Sequence, residues 1–445
     1  MASDLLSIAK SGAMAARIAL DVTAQNIANA SSDGYIRRSV RLEELASSGG
    51  FQRIGDVSLS GVRLGGVIRN ADVFRQAEVR RTGADAARAE AEVAGLENIQ
   101  SAVEQSGVYP AIVAFDASLR QLTADPVDPG LRAAVIEDAR TMTRTFNIAA
   151  TSLDAAGNGL RFEAADGVNQ VNQLAGELAR VNLHLARASG ASSDQTALLD
   201  SRDSLLERLS QYTDITTTIA PDQTVEVRLG GASGPQLVIG GSATSFAMAA
   251  AADGTIAFTL GAAPVTLAAG SLAGKAQALV KLADVRTRLD TVATGLIATV
   301  NAAQTGGIAL DGSAGQPLFA GTDAASFALA FENGSLIATA PAGGGAGSRD
   351  PANLTALRNM LGTTDPAGAL DALLFDISGN VAGRTLTRDA LSAIAGNASI
   401  ALQAQAGVNL DHEAVNLIRY QQAFQASGKA MQIASTIFDT LLAIR

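Results

Sequence analysis

Apolar and small side chains recur at helical spacing from the start of the chain. Their steps alternate between three and four residues, as in a coiled-coil seam, and a second stripe lies beside the first. The first stripe is Leu5, Ile8, Gly12, Ala15, Ala19, Val22, Asn26 and Asn29, and the second is Leu6, Ala9, Ala13, Ala16, Leu20, Thr23 and Ile27. This pattern predicts one helix over residues 3–30 that can pack neighbours on two faces, followed by a turn at residues 31–34.

A matching pattern ends the chain, which is helical again from about Thr387 onward. An apolar residue recurs at every seventh position, at Leu410, Leu417, Phe424, Met431 and Phe438. The interleaved seam positions predicted from this repeat are Ala414, Gln421, Gly428, Ser435 and Leu442. Polar residues such as Arg419, Gln422 and Lys429 are predicted on the other side. The last segment is therefore expected to be the counterpart of the first helix.

Between the two ends, long helical segments alternate with short extended ones. Helices are predicted over residues 73–105, from Pro129 to a break at 157–159, over 160–188, from a Ser192 and Gln195 capping box to Tyr212, and over 272–303. Short alternating runs predict a brief hairpin within residues 40–72, a small β unit at 213–270, and strands at 326–331 and 335–339. Residues 343–348 are expected to form an exposed loop.

Composition narrows the chemistry that these elements can carry. The 445 residues include no Cys, which excludes disulfides, thiolate metal sites and cysteine nucleophiles. A net charge of -10 with scattered Arg residues disfavours nucleic-acid binding. No segment has the pattern of a cleavable secretory signal or a membrane span. We therefore expect the chain to stay in the cytoplasm, or to leave the cell by a route that reads no such signal.

Several polar residues resemble fragments of catalytic or ligand motifs without completing one. His184 and His412 each lack a second ligand one helical turn away. The segment around Gly274 and Lys275 lacks the first Gly and the Ser or Thr of a phosphate-binding loop. Asp311 opens a turn without the downstream carboxylates of a calcium loop. The sequence thus predicts no catalytic residue, no metal, no cofactor, and a protein that is not an enzyme.

The terminal helices carry too little apolar surface to offset the conformational entropy of ordering them. We therefore expect them to pair with each other and with copies from neighbouring subunits, and to fold fully only on assembly. A second interpretation stays open from periodicity alone: both helices dock on the body of the protein as ordinary core.

Motifs at both ends resemble a known family. Residues 24–29, followed by Gly34 and Tyr35, resemble the N-terminal motif shared by flagellar rod, hook and hook-associated proteins. The C-terminal residues 407–411, 416–426 with Arg419, Tyr420 and Gln421, and 438–442 are similar to the hook-associated protein 1 family. Residues 198–203 and 270–274 also resemble internal segments of that family. Two departures are Ser32-Asp33 in place of a usual Pro-containing turn, and His412 in place of a usual acidic residue.

The resemblance implies a mainly α protein with small β subdomains, whose N- and C-terminal helices pair in a coiled-coil-like bundle of an elongated, multi-domain axial protein. We expect residues 1–50 with 405–445 to form a terminal helical polymerisation domain. Residues 51–309 with 386–404 would form a helical rod domain containing the β unit at 213–270, and residues 310–385 a small outer domain.

The resemblance also implies a function. A structural subunit of the bacterial flagellum would join hook to filament by self-assembly, after export through the flagellar type III apparatus without a cleavable signal peptide. Its partners would be copies of itself, the hook protein, the next hook-associated protein or flagellin, and a cytoplasmic export chaperone on the C-terminal helix, with no nucleic acid and no membrane insertion. The residues expected to make subunit contacts are Leu5, Ile8, Leu20, Val22, Asn26, Ile27, Asn29, Leu410, Leu417, Phe424, Met431, Phe438, Leu441 and Leu442.

Alternatives remain at this point. Within the same axial family the chain could be a hook or distal-rod subunit. From another class, an enzyme could be appended to an axial scaffold, with residues 310–385 as the free space for it. Asn26 and Asn29 could fix register through polar contacts, or could simply mark a fraying helix end.

Overall fold

The computed structural model describes residues 2–32, 34–44, 61–188 and 192–443, with side chains described for 5–32, 34–44, 61–188, 192 and 194–440. The chain divides into two compact units. Unit 1 comprises residues 1–84, 170–246 and 392–445, and unit 2 comprises residues 85–169 and 247–391. Each unit is therefore assembled from segments that are distant in sequence.

Nine helices span the described residues: α1 Ala2–Ala28, α2 Val73–Glu104, α3 Val108–Ala124, α4 Pro129–Leu185, α5 Ser193–Tyr212, α6 Ser271–Thr305, α7 Ala352–Thr364, α8 Pro366–Ala406 and α9 Leu410–Ala443. The strands of unit 1 are β1 Arg38–Glu44, β2 Val62–Arg69, β3 Ile215–Ile219, β4 Val225–Leu229, β5 Gln236–Ile239 and β6 Ser242–Ala243. Then follow β7 Phe246–Ala250, β8 Ile256–Leu260, β9 Ala263–Val265, β10 Gly307–Ile308, β11 Phe319–Ala320, β12 Ala328–Leu329 and β13 Ala340–Pro341. The predicted fold class, mainly α with small sheets and a long C-terminal helix, is confirmed.

In unit 1, helices α1 and α9 pack along each other, and the hairpin of β1 and β2 lies beside α1. The hairpin is antiparallel, pairs Arg38 with Arg69, and contains one irregularity between Arg41 and Leu42. It confirms the hairpin predicted within residues 40–72, although residues 57–60, on which part of that prediction rested, lie outside the described residues. The turn after α1 includes Gly34 at a φ of 73°, which favours glycine.

The β unit predicted at 213–270 is confirmed as two small sheets. Strands β3, β4, β5 and β6 form one sheet in that order, and β7, β8 and β9 form the other. In β4 the side chains of Val225, Val227 and Leu229 are buried, alternating with half-buried neighbours. This alternation is the period of two that the sequence pattern carried. The predicted cap of α5 is also present, since Ser192 Oγ accepts from the Gln195 backbone N–H at 3.1 Å.

Helix α4 runs for 57 residues without a break, so the turn predicted at residues 157–159 is wrong. The buried stripe continues through it, with Leu153, Leu160 and Ala164 all at most 5% exposed. Two glycines cost a helix about 1 kcal/mol each relative to Ala. Core packing on both sides of them outweighs that cost.

Sequence reasoning missed helix α3. Its buried residues Val108, Ile112, Phe115, Leu119 and Leu122 follow helical spacing, so the signal was present in the sequence. They belong to the main core of unit 2, where Phe115 and Phe319 lie with their ring centroids 5.8 Å apart. Helices α4, α6, α7 and α8 contribute to the same core.

The structure divides the chain differently from the three predicted domains. Within residues 310–385, predicted as a small outer domain, Phe319, Phe327, Leu354 and Leu370 lie in the same core as α3 and α4. Small residues in this segment allow short strands and turns to cover the helices closely. The strand predicted at 326–331 shrinks to β12, and 335–339 begins in a 3-10 turn, Gly334–Leu336. Residues 343–348 form a mostly exposed turn, as expected.

Candidate assembly site at the paired termini

Helices α1 and α9 run antiparallel, because Gly12 faces Ser427 while Asn26 bonds to Glu413. A Cβ added at Gly12 would lie 3.0 Å from Ser427 Oγ, so the two helices approach closely at this point. The small side chains of α1 permit that approach. Both stripes predicted on α1 are largely buried, from Ala9 to Asn26.

The predicted contact residues divide between the seam and the surface. On α1, Val22 and Asn26 are buried, Ile8, Leu20, Ile27 and Asn29 are half-buried, and Leu5 is exposed. On α9, Leu417 and Met431 are half-buried, and Leu410, Phe424 and Phe438 are exposed. The side chains of Leu441 and Leu442 lie outside the described residues.

The interleaved seam positions predicted on α9 are mostly wrong. Ala414, Gln421 and Ser435 are exposed and Gly428 is half-buried, while the side chain of Leu442 lies outside the described residues. The seam instead uses the residues three positions after each heptad residue, which are Glu413, Tyr420, Ser427 and Ala434. Glu413 finds polar partners on this side, and the small Ser427 and Ala434 fit against α1. A residue three positions and a residue four positions after each heptad residue both lie near the seam. Periodicity alone therefore did not choose between the two sets.

A second apolar face of α9 points away from the seam. Val415, Ile418, Ile433 and Ile437 share one side of the helix and are between 41% and 65% exposed. Helix α1 adds exposed Leu5, Leu6 and Met14. Sequence reasoning assigned this side of α9 to polar residues and missed the apolar ones. Their helical spacing was a usable signal, but Gln422 and other glutamines interrupt it.

The amide of Asn26 is the centre of a buried polar network. Its Oδ1 accepts from the Tyr35 hydroxyl at 2.9 Å and from the Arg38 backbone N–H at 3.0 Å. Its Nδ2 donates to the Arg38 carbonyl at 2.8 Å and to Glu413 Oε2 at 3.1 Å. Glu413 also accepts from Arg37 Nε at 2.7 Å. The network thus joins α1, β1 and α9 through Asn26 and Tyr35 of the N-terminal motif and through Glu413.

Tyr35 and Asn29 have different surroundings, although both belong to the N-terminal motif region. The Tyr35 ring lies under the Arg38 guanidinium, with Cζ 5.3 Å from the ring centroid. Burial raises the pKa of Tyr35 against the lowering effect of the Arg38 charge, and the charges of Asp200 and Glu413 add smaller upward effects. Asn29 Nδ2 donates to the Gln25 carbonyl of its own helix end. Of the two asparagines, Asn26 therefore contacts α9 through Glu413, and Asn29 closes α1.

The internal motif at residues 198–203 meets the hairpin through a cluster of charges. Asp200 Oδ2 accepts from Arg38 Nη2 at 2.7 Å, and Arg69 Nε lies 2.8 Å from Asp200 Oδ1. Asp203 accepts from Arg69 Nη2 at 2.8 Å and from Arg202 Nη2 at 2.7 Å. Burial alone would raise the pKa of Asp203, but the Arg202 and Arg69 charges outweigh it and hold the pKa below its ordinary value. Three motifs identified separately in the sequence thus converge in unit 1.

The motif at residues 270–274 has a packing role in unit 2. A Cβ added at Gly274 would lie 2.2 Å from the Arg88 carbonyl oxygen and 2.9 Å from the Glu92 backbone nitrogen. Only glycine lets the start of α6 lie this close to the backbone of α2. The motif is therefore explained by helix packing.

His184 and His412 are both exposed, and no group of three potential metal ligands occurs within the described ranges. In the same part of the chain, no helix combines the length and the apolar character needed to cross a bilayer.

Comparisons with known proteins match both ends and the middle of the chain. A model of the flagellar hook-associated protein FlgK helical domain matches residues 93–319, just over half of the chain. Residues 403–444 match a model of the C-terminal part of flagellar basal body rod FlgEFG proteins. Residues 6–35 match a model of flagella basal body rod proteins. The paired helices α1 and α9 therefore carry the two terminal matches.

Individual relatives agree with these models. Flagellar hook-associated protein 1 of Bacillus subtilis (strain 168) is 28% identical over 217 residues, which cover 47% of this chain and 43% of that protein. The chain thus spans less than half the length of that relative. Flagellar hook-associated protein 1 of Escherichia coli (strain K12) is 25% identical, and the alignment covers both chains completely.

One solved structure shows the same fold. The flagellar hook junction protein FlgK from Burkholderia pseudomallei matches with a TM-score of 0.61 at 16% identity, covering 73% of this chain and 99% of that one. Together with the family model over more than half of the sequence, these findings identify the chain: it belongs to the flagellar hook-associated protein FlgK family.

Proposed function

We propose that this chain is a structural subunit that joins the hook of the bacterial flagellum to the filament, and that it assembles through its terminal helices. The observation that carries the proposal is the pairing of α1 with α9, which leaves a second apolar face of α9 exposed. An exposed apolar face on a member of a flagellar protein family is suited to contacts with neighbouring subunits.

The exposed face has the composition of an assembly contact. Val415, Ile418, Ile433 and Ile437 alternate with Gln422, Ala426 and Lys429 along one side of α9. Four aliphatic side chains on one helix give a patch that a second helix can cover, as in a helix-in-groove contact. The predicted contact residues Leu417, Phe424, Met431 and Phe438 then serve two roles, in the seam with α1 and at its exposed margin.

The remaining partners follow from the same proposal. The subunit would contact the hook protein on one side and the next hook-associated protein or flagellin on the other. Before export through the flagellar type III apparatus, a cytoplasmic chaperone would cover the exposed face of α9 and prevent premature assembly. The finished subunit would be extracellular, at the hook-filament junction.

Two alternatives are weaker. A hook or distal-rod subunit would share the terminal motifs, but the match over residues 93–319 is to the hook-associated family. An enzyme appended at residues 310–385 would need a separate fold, whereas that segment contributes Phe319, Phe327 and Leu354 to the core of unit 2. The proposal therefore gives the chain a structural role and no catalytic one.

A double substitution on the exposed face of α9 tests the proposal. I418Q combined with I433Q removes apolar contacts without touching the seam, so the monomer should keep its circular dichroism and melting temperature. Cells carrying it should export the protein but form hooks without filaments, with flagellin lost to the medium. V280Q is the control, because Val280 is 59% exposed on α6, outside the terminal helices.

The position of labelled protein separates the alternatives. Immunolabelling of the unchanged chain should mark the boundary between hook and filament by electron microscopy. Label along the whole hook or at the rod would favour a hook or distal-rod subunit. Normal filaments in the I418Q and I433Q strain would overturn assembly through this face.

A further inference from the structure

The seam between α1 and α9 contains few side chains that could fix how the helices align. On α1 the stripe that holds Gly12 and Asn26, the two residues shown to meet α9, also contains the buried Ala15, Ala19 and Val22, so most of its side chains are small. On α9 the seam alternates Tyr420 and Met431 with small residues such as Ser427. Knobs that fill specific holes normally set the register of two packed helices, and a stripe of alanines offers few holes. Apolar packing alone therefore discriminates weakly between alignments that differ by one turn.

Glu413 differs from the rest of α9. Among the described side chains of this helix, only Glu413 and Ala434 are buried, and Glu413 is 1% exposed. Its carboxylate accepts from Asn26 Nδ2 at 3.1 Å and from Arg37 Nε at 2.7 Å. Arg37 is itself held on the folded unit, because its backbone N–H donates to the Ala406 carbonyl at 2.9 Å. Asn26 is held on β1 by two hydrogen bonds to the backbone of Arg38, so its amide is oriented without α9.

A slip of α9 by one turn would break this arrangement. Moving the helix by four residues shifts it about 6 Å along its axis and brings Leu417 or Asn409 opposite Asn26. The side chain of Leu417 cannot accept a hydrogen bond. The carboxylate of Glu413 would lose both its charged partner, Arg37, and its neutral partner, Asn26. A buried charge-assisted contact that loses its partner is costly, whereas the mostly small side chains of the seam oppose the shift less strongly.

We propose that Glu413 is the positioning residue that sets the register of α9 on α1, through Asn26 and Arg37. It thereby determines which part of α9 is presented to neighbouring subunits, and this last step rests on the proposed function. A polar group at one seam position is a known way to specify helix register at some cost in stability.

Cysteine pairs can read the register directly, because the chain has no Cys of its own. A Cβ at Gly12 would lie 3.9 Å from Ser427 Cβ, within the range for a disulfide. G12C with S427C therefore reports the register of the structure. G12C with A423C, and G12C with M431C, report slips of one turn in either direction. All three pairs are made in the full chain and oxidised at high dilution, so that only intramolecular bonds form.

With Glu413 in place, the G12C and S427C pair should account for nearly all cross-linked product. E413A should lower the ratio of G12C–S427C product to the product of the two slip pairs about tenfold. This is the change expected for losing one charge-assisted hydrogen bond. R37A should act in the same direction. E413Q keeps an acceptor for Asn26 and should give an intermediate shift, which protects the test if E413A folds poorly. D411A is the matched control, because Asp411 is exposed on the same turn of α9.

Two results would overturn the proposal. The native pair could remain dominant in E413A and R37A, or all three pairs could fall together, which would mean that α9 detaches without changing register. Neither result depends on assembly, because the disulfide cross-links are measured on dilute monomer. A register shift in E413A alongside normal filaments in the I418Q and I433Q strain would instead overturn the proposed function and leave the role of Glu413 intact.

Discussion

The side-chain amide of Asn182 takes the place of a neighbouring strand for Val225. Asn182 Oδ1 accepts from the Val225 backbone N–H at 3.0 Å, and its Nδ2 donates to the Val225 carbonyl at 2.9 Å. Three other helix asparagines pair in the same way with both backbone groups of one residue: Asn26 with Arg38, Asn172 with Phe246, and Asn301 with Phe319. Asparagines on α1, α4 and α6 thus attach the edges of small sheets to long helices.

Replacing Asn182 should therefore destabilise unit 1. N182A leaves the Val225 N–H and carbonyl without their partner in a buried position, and each unpaired group costs about 1–3 kcal/mol. We expect the free energy of unfolding to fall by about 2–4 kcal/mol in urea denaturation followed by circular dichroism. Q173A on the exposed side of the same helix should change it by less than about 0.5 kcal/mol. Equal effects from the two substitutions would show that the amide does not hold the strand.

Asp203 is an acid-sensitive group of unit 1. Its pKa is below the ordinary value of 3.8, because Arg202 and Arg69 outweigh the effect of burial. A carboxyl with a lowered folded pKa contributes stability above 3.8, and this contribution is lost as the pH falls through the folded value. The free energy of unfolding should therefore decrease as the pH is lowered from about 5 towards 2.

D203N isolates that contribution from the other acids. At pH 7 it should cost about 3 kcal/mol, because buried Arg202 loses its carboxylate and Arg69 keeps only Asp200. The difference in free energy of unfolding between D203N and the unchanged chain should shrink as the pH falls below the ordinary pKa of Asp203. The Asp203 carboxyl is then protonated, first in the unfolded and then in the folded state, so that both chains carry a neutral group at this position. D222N is the control, since Asp222 also has a lowered pKa, from hydrogen bonds to Thr224, but is exposed. A D203N penalty that stays constant from pH 7 to pH 2 would contradict the assignment.

Much of the terminal site could be predicted from sequence. The heptad positions of α9 and the two stripes of α1 gave the pairing of the ends, because helix periodicity depends only on local order. The polar network could not be predicted, since Asn26 and Glu413 are 387 residues apart and their contact depends on the alignment of two helices. Arg37 and Arg38 gave no periodic signal at all. The resemblance to a family marked the motif residues, but the contacts between them required the fold.

The middle of the chain was predicted less well wherever packing overrode local preference. Gly157 and Gly159 favour a turn by propensity, yet α4 continues through them because its buried stripe is uninterrupted. Residues 310–350 are rich in Gly and Ala, yet large apolar side chains of residues 310–385, such as Phe319 and Leu354, enter the core of unit 2. In both places the deciding contacts are with distant residues, which a single sequence does not reveal.

Because α4 continues through Gly157 and Gly159, replacing these glycines by alanine should affect stability in a predictable way. Gly159 is exposed within α4, and a Cβ added there would have no atom within 4 Å. G159A should therefore raise the free energy of unfolding by about 0.5–1 kcal/mol, by removing the entropic cost of glycine in a helix. G157A should gain less, because its Cβ would meet Arg161 Nη1 at 3.2 Å and Leu282 Cδ1 at 3.4 Å. Destabilisation by G159A in urea denaturation would instead support the turn.

The buried guanidinium of Arg132 fastens residues 334–339 to the start of α4. It is 1% exposed and donates to the carbonyls of Pro126, Gly334 and Ile337 and to the Thr339 hydroxyl, at 2.6–3.0 Å. Burial lowers its pKa, and no carboxylate contacts it among the ion pairs of the described residues. The arginine is therefore held by neutral acceptors that would themselves be left unpaired without it.

Substituting Arg132 should loosen this segment selectively. R132M keeps the apolar stem but removes every donor, so the backbone amides of Ile337 and Ala338 should exchange about 100-fold faster, which corresponds to ~2.7 kcal/mol. R132K should recover part of the protection, because an ammonium can reach fewer of the four acceptors. R120M on α3 is the control, as the Arg120 side chain is 68% exposed. Hydrogen exchange followed by mass spectrometry measures the segment directly, and unchanged protection in R132M would mean that the core contacts of Phe327 and Leu354 hold it without the arginine.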